Sequence, residues 1–498
     1  MNVNPITRLD YPDPDVIRVE DTYYMVSTTM HFMPGCEILQ SFDLVHWEHV
    51  TYVYETLDHT DAQQLKSGQN IYGQGMWAAS LRYHEGRFFI CFVANDTRKT
   101  YLYTSEKIDG PWKKQLIEGF YHDGSLLFDE DGRNYIVYGN DEIWITELNE
   151  DLTAPKKDGL HRLLVSDHKN PELGYEGSHI QKINGYYYIF LIHSLRDRWM
   201  RTEACFYSDS LEGEFTGGDV LCDDRGYCGQ GVAQGGIVDT PDGKWYAMLF
   251  QDFGAVGRIP ILLPVTWKDH FPFFGQNGHV PEEIEVHSTR PGYIYQPLVG
   301  SDDFCNGLLP RWQFNHDPDP RYYHLDALQG TYTITTREVC TELTQAVNTL
   351  TQRMSYPSCA AEVTVDASAL KEGDVAGLCA LQSCYAAVGI TKHHGKYEVL
   401  MLDKKEDGIL DMTEGTVVES HQMDFRLEAD FCNMKDEARC YYRVNKGDWL
   451  PIGTVHKLYF KLDHFTGCRF GLFCYAAEET GGSACFRDFK YYDVDEIS

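Results

Sequence analysis

Three carboxylates stand in comparable settings in distant parts of the chain: Asp13 in Tyr11-Pro12-Asp13-Pro14-Asp15, Asp123 in His122-Asp123-Gly124-Ser125-Leu126, and Glu176 in Tyr175-Glu176-Gly177-Ser178-His179. Residue types of this kind can split a glycosidic bond. One protonated carboxyl protonates the leaving oxygen and one ionised carboxylate activates water or attacks directly. A third acid nearby keeps the donor protonated by like-charge repulsion. Taken singly, each has a plainer explanation. Pro12 and Pro14 hold the backbone extended around Asp13, as a turn would need. Asp123 suits an Asx turn that starts a strand. Glu176 would have a raised pKa and serve as a general acid near neutrality only if the fold buries it beside its aromatic neighbours. The trio becomes a site only if the fold gathers it.

An internal repeat supplies such a fold. A turn followed by an aromatic-rich strand recurs five times, in Asp21–Val26, Gly86–Cys91, Gly132–Val137, Gly185–Phe190 and Gly243–Met248. The starts lie roughly 45 to 65 residues apart, the span of a four-stranded propeller blade. Polar turns followed by an aromatic anchor, as in Asp43-Leu44-Val45-His46-Trp47 and Gly110-Pro111-Trp112, read as the outer parts of blades. A five-bladed β-propeller is therefore expected. It collects one short segment per blade around its axis, and the three acids fall just before innermost strands. After Trp267 the pattern changes, and the Pro- and Gly-containing stretch 271–297 reads as a connector. Alternating segments such as Tyr332-Thr333-Ile334-Thr335 and Ala361-Glu362-Val363-Thr364-Val365 then predict a second all-β unit, most simply a β-sandwich. The expected domains are 1–297 and 298–498.

Bulk properties agree with a carbohydrate-handling protein. At 498 residues the chain exceeds the roughly 250–300 at which one core stops growing. A formal charge of −32 argues against nucleic acid and anionic membrane surfaces as partners and leaves a neutral ligand. The start has no apolar core of the signal-peptide kind, and no apolar run is long enough to span a bilayer, so a cytoplasmic location is expected. The 15 cysteines contain no Cys-x-x-Cys pair and suggest neither a zinc site nor a disulfide framework. Gly229–Gly235 lacks the spacing of a nucleotide-binding loop, and His393-His394 beside Gly395 reads as a solvated turn.

In their order and context the acid-bearing segments resemble glycoside hydrolase family 43, the five-bladed propeller β-xylosidases and α-L-arabinofuranosidases. The resemblance implies Asp13 as general base, Asp123 as the acid that modulates pKa and orients the sugar, and Glu176 as general acid. Thr29–Gly35, Gly75-Met76-Trp77-Ala78 and Gly257-Arg258-Ile259-Pro260 are similar to pocket segments of that family, which implies Phe32, Trp77 and Arg258 as substrate-binding residues. Asp303-Phe304, Trp312–His316, Asn348–Arg353 and Gly373–Leu378 resemble the concanavalin-like β-sandwich of the xylosidase branch, in which a sandwich loop helps to close the pocket. Three departures stand out: Gln234 where many members carry an axial histidine, Val347 in place of an arginine, and Ala79-Ser80 in place of a proline-containing pair. With an amide at 234 no cofactor is required, although a structural or active-site calcium ion remains compatible.

The expected function is thus that of an inverting exo-glycosidase removing terminal β-D-xylosyl or α-L-arabinofuranosyl residues from oligosaccharides. Choice of pentose and self-association are left open. Two alternatives use the same fold: a retaining fructan- or sucrose-cleaving propeller, against which Pro12-Asp13-Pro14-Asp15 and Glu176-Gly177 speak, and a sugar-binding propeller without catalysis.

Overall fold

The protein is described here by a computed structural model covering residues 4–493. Its first part is five four-stranded antiparallel sheets, each with its strands in sequence order. They span residues 15–54, 76–117, 125–166, 176–221 and 233–274, and form the five blades of a propeller. The five turn-and-strand repeats are the second strands of these blades: Thr22–Ser27, Arg87–Ala94, Asn134–Asn140, Tyr186–Ser194 and Trp245–Asp252. Neighbouring blades cover both faces of such a strand, so it is apolar almost throughout instead of alternating. In Arg87–Ala94, for example, every residue after Arg87 is buried.

Each innermost strand begins with the same backbone device. Asp13, Ala78, Asp123, Gly177 and Gln234 have φ of 53°, 37°, 48°, 65° and 61°, one left-handed residue per blade. In blades two, four and five it lies inside a register shift, between Trp77 and Ser80, Glu176 and His179, and Ala233 and Gly236. Such bulges turn side chains out of the ladder. Two residues further on, short polar side chains tie each of the first three blades to the next. Asp15 Oδ2 accepts from the Leu81 N–H (2.7 Å), Ser80 Oγ from the Leu126 N–H (3.1 Å) and Ser125 Oγ from the Ile180 N–H (3.1 Å). These bonds satisfy buried backbone donors that no strand pairing reaches.

The second part is a β-sandwich of one seven-stranded and one nine-stranded sheet. One strand of the larger sheet is Phe32–Met33 of the propeller, which pairs with Gln313–Asn315, so the two domains share a sheet. Between them the chain straps blade one: the Phe42 N–H donates to Tyr295 Oη (2.9 Å), and Arg290 pairs with Asp21 (2.9 Å). Buried charges also cross the seam, with Arg353 donating to Glu37 (2.8 Å). The cysteines are free and mostly buried.

Candidate active site

The propeller axis brings together all three acids. Asp13 is buried, and its carboxylate is fully engaged: Oδ1 accepts from Arg258 Nη1 (3.0 Å) and Oδ2 from Thr28 Oγ1 (2.6 Å). Thr28 in turn accepts from the Ala78 N–H (2.8 Å), which ties the base of blade one to the kink of blade two.

Asp123 and Glu176 meet across His122. One ligand-type atom from each of these three residues lies within 4.8 Å of the others, the only such group of three or more among the described residues. His122 Nε2 stands 3.6 Å from Asp123 Oδ2 and 3.5 Å from Glu176 Oε2. The Asp123 carboxylate beside it pushes the imidazole up to about 9 against the cost of burial, so it is a cation at neutral pH. Burial is the first cause acting on Asp123; together with repulsion from Glu176 and Asp13 it outweighs His122 and raises the carboxyl to about 6. The Gly177 N–H donates to Asp123 Oδ2 (3.0 Å). Glu176 is only partly buried, its side chain 21% exposed, and Oε2 accepts from Asn140 Nδ2 (2.6 Å). Burial thus falls on Asp123 instead of on Glu176, where the sequence reading looked for it.

Arg258 and Trp77 line this space. Arg258 is 2% exposed, and its Nε and Nη2 are buried without a protein partner, two donors left unsatisfied. Trp77 lies 6.1 Å from the His122 ring, and its Nε1 is likewise buried and unpartnered. Phe32 is placed elsewhere. It is 2% exposed, capped by the Arg469 guanidinium 3.5 Å above its ring and 4.3 Å from His31, so it packs the seam between the domains and does not form the pocket wall expected of it. Its strand is taken up by the sandwich sheet, where it pairs with Gln313–Asn315.

The aromatic wall comes instead from the other domain. Phe465, in the sandwich segment 459–468, lies 5.3 Å from the Trp77 ring and 4.4 Å below the Arg258 guanidinium. Asp10 docks this segment, accepting from the Gly467 N–H and from the Arg258 N–H (2.8 Å each). Arg201, paired with Asp252, shares the Phe250 ring with Arg258, at 5.4 and 5.3 Å. Burial and the neighbouring Arg258 lower Arg201 to about 10. Sequence reasoning passed over His122, Phe465 and Arg201. His122 alone left a signal, as a titratable residue adjoining a candidate acid. Gln234 lies against the start of blade four: a Cβ on Gly177 would lie 2.8 Å from its side-chain Cδ.

The model of glycosyl hydrolases family 43 matches residues 3–272, and that of the β-xylosidase C-terminal concanavalin A-like domain matches residues 301–492. The chain belongs to glycosyl hydrolase family 43. Among curated relatives, a β-xylosidase of Formosa agariphila is 26% identical over 99% of this chain and 89% of its own. A non-reducing-end α-L-arabinofuranosidase of Bacteroides ovatus is 24% identical over 82% of this chain and 79% of its own. A solved bifunctional GH43-CE protein of Bacteroides eggerthii is 42% identical with a TM-score of 0.92; this chain is covered to 99% and spans 64% of that longer one. A solved GH43 enzyme engineered to display both endo-xylanase and exo-arabinofuranosidase activity is 26% identical with a TM-score of 0.86, covering 99% of this chain and 100% of its own.

Proposed function

We propose that this family 43 protein is an inverting exo-glycosidase that releases terminal β-D-xylosyl or α-L-arabinofuranosyl residues from oligosaccharides. The observation that carries the reading is the division of labour among the acids. Asp13 stands apart as a pure acceptor between Arg258 and Thr28, whereas Asp123 and Glu176 crowd together around His122. In a single displacement Asp13 takes a proton from water as its oxygen bonds to the anomeric carbon. The glycosidic C–O bond breaks, and Glu176, the more accessible member of the crowded pair, gives its proton to the leaving oxygen. Asp123, its own carboxyl raised to about 6 by burial, opposes a second negative charge beside it.

Arg258 Nε and Nη2 donate to hydroxyls of the terminal sugar, and Trp77 with Phe465 covers its apolar face. Phe465 supports exo cleavage, because it blocks one side of what would otherwise be an open groove. The names of the relatives support both pentoses, and one pocket accommodates both because their hydroxyls are similarly disposed.

The test is turnover of xylobiose, nitrophenyl β-xyloside and nitrophenyl α-L-arabinofuranoside by wild type, Asp13→Ala and Glu176→Ala. On xylobiose each variant should lose roughly 100-fold or more with folding intact. Glu176→Ala should lose far less on the nitrophenyl substrates, whose leaving group hardly needs a proton. Near-wild-type turnover of xylobiose by either variant contradicts the assignment. A wild type that binds xylose but cleaves none of the three is a sugar-binding propeller.

A further inference from the structure

Below the three acids, the acceptors that converge on the propeller axis are of the kind that would surround a hard cation: a carboxylate oxygen, a hydroxyl and main-chain carbonyls. In this chain they all turn to one guanidinium. Arg82 Nη1 donates to Asp15 Oδ2 (2.8 Å) and to the Leu81 carbonyl (2.6 Å). Nη2 donates to Ser125 Oγ (2.6 Å) and to the Ile180 carbonyl (3.2 Å), and Nε to the Leu126 carbonyl (2.8 Å). A guanidinium carries five N–H donors in a fixed planar fork, and here each has an acceptor. Asp15 is 1% exposed. Burial alone would raise its carboxyl, but Arg82 and His179 hold it below the ordinary aspartate value. Its other oxygen lies 3.1 Å from His179 Nδ1. A calcium ion does not fit among these groups, because the lone pairs it would need already face a positive charge.

We propose that Arg82 is the resident axial cation of this propeller, that it takes the place of a divalent metal, and that it is the positioning residue for the three acids. Its acceptors sit a short, fixed distance along the acid-bearing strands. Asp15 is two residues beyond Asp13, Ser125 and Leu126 are two and three beyond Asp123, and Ile180 is four beyond Glu176. At about 3.3 Å per residue, a shift at the guanidinium reaches each carboxylate within one or two strand repeats. Four blades thus take their axial register from one side chain. Lysine, a point charge with three donors on a flexible stem, cannot satisfy the same planar set.

The kinetic arm of the test rests on the glycosidase reading above; the metal arm does not. Calcium titrated into chelator-treated wild type should give no saturable heat and no change in Tm, and wild-type turnover of nitrophenyl β-xyloside should be the same in EDTA and in calcium. Stoichiometric calcium binding that raises Tm, or activity lost to EDTA and restored by calcium, overturns the proposal. Arg82→Ala should lose about 100-fold in kcat, the loss expected from roughly 1 Å of misplacement, with KM nearly unchanged. Guanidinium or calcium at millimolar concentration should restore much of it by refilling the axis, which a merely structural loss would not allow. A kcat within twofold of wild type, or a loss that neither cation restores in folded protein, counts against Arg82. If Arg82→Ala does not fold, Arg82→Lys decides: lowered kcat at unchanged KM supports the fork, and wild-type kcat overturns it. Should wild type prove inactive on every pentoside, the calcium titration still tests the axis.

Discussion

Two carboxyls and one imidazole share a volume in which their ligand-type atoms lie within 4.8 Å, so the protonation of any one of them depends on the other two. His122 is held at about 9 in the folded protein against an ordinary 6.5. A raised folded value means that its contribution to stability is complete below pH 6.5 and is lost as pH rises through 9. Wild-type Tm should therefore decline between pH 6.5 and 9 by more than that of His122→Phe, measured by scanning calorimetry; parallel declines would show that the imidazolium is not held by the acids. The same substitution removes the charge that opposes burial at Asp123, now at about 6, so the acidic limb of kcat/KM should move to higher pH. At this scale the sequence was partly legible. The resemblance points to Asp13, Asp123, Glu176, Trp77 and Arg258 position by position, and the fold brings these five into one neighbourhood. Phe32 went astray because a loop aromatic looks the same whether it faces an axis or a seam, and Arg82 passed unnoticed because nothing local separates an axial arginine from a surface one.

At the scale of the strand, the sequence carries burial better than it carries backbone angle. The second strand of each blade is covered on both faces and declares itself by runs such as Tyr186-Tyr187-Tyr188-Ile189-Phe190, so blade number and order could be read directly. The kinks that begin the innermost strands could not. Of the five left-handed positions Gly177 is of the type that adopts such a φ freely and Asp13 and Asp123 are of a type that tolerates it, but Ala78 and Gln234 carry no such signal. Gly177 also has the side chain of Gln234 against it, 2.8 Å from where a Cβ would be. Gly177→Ala is expected to cost about 1 kcal/mol or somewhat more from the strained φ, measured by urea unfolding. It should also lower kcat, because the kink aims Glu176 and places the N–H that Asp123 accepts. An unchanged midpoint and kcat would mean that the kink is dispensable.

The whole molecule explains why neither domain completes the site. Phe465 reaches Trp77 and Arg258 from the sandwich, a partnership between residues hundreds of positions apart that no local pattern records. Phe465→Ala should raise KM by roughly tenfold or more while leaving the propeller folded, since it removes a wall of the pocket and no catalytic group. The seam that docks it holds three buried histidines, with the His31 ring 4.8 Å from that of His316 and 6.1 Å from that of His464. Burial pushes His31 and His316 well below the ordinary imidazole value and His464 to about 3. Lowered folded values give the opposite sign to His122: the stability is complete above pH 6.5 and is lost as pH falls below it. Acidification from pH 7 to 4.5 should therefore lower Tm and speed hydrogen exchange in segment 459–468, less so in His464→Phe.

Every role assigned to the three acids requires one displacement with water attacking from the Asp13 side. Proton NMR of nitrophenyl β-xyloside hydrolysis reads this directly from the first anomer released, before mutarotation. Appearance of α-xylose first is the predicted result; β-xylose first would mean a covalent glycosyl intermediate and would contradict the assignment of Asp13 as a base.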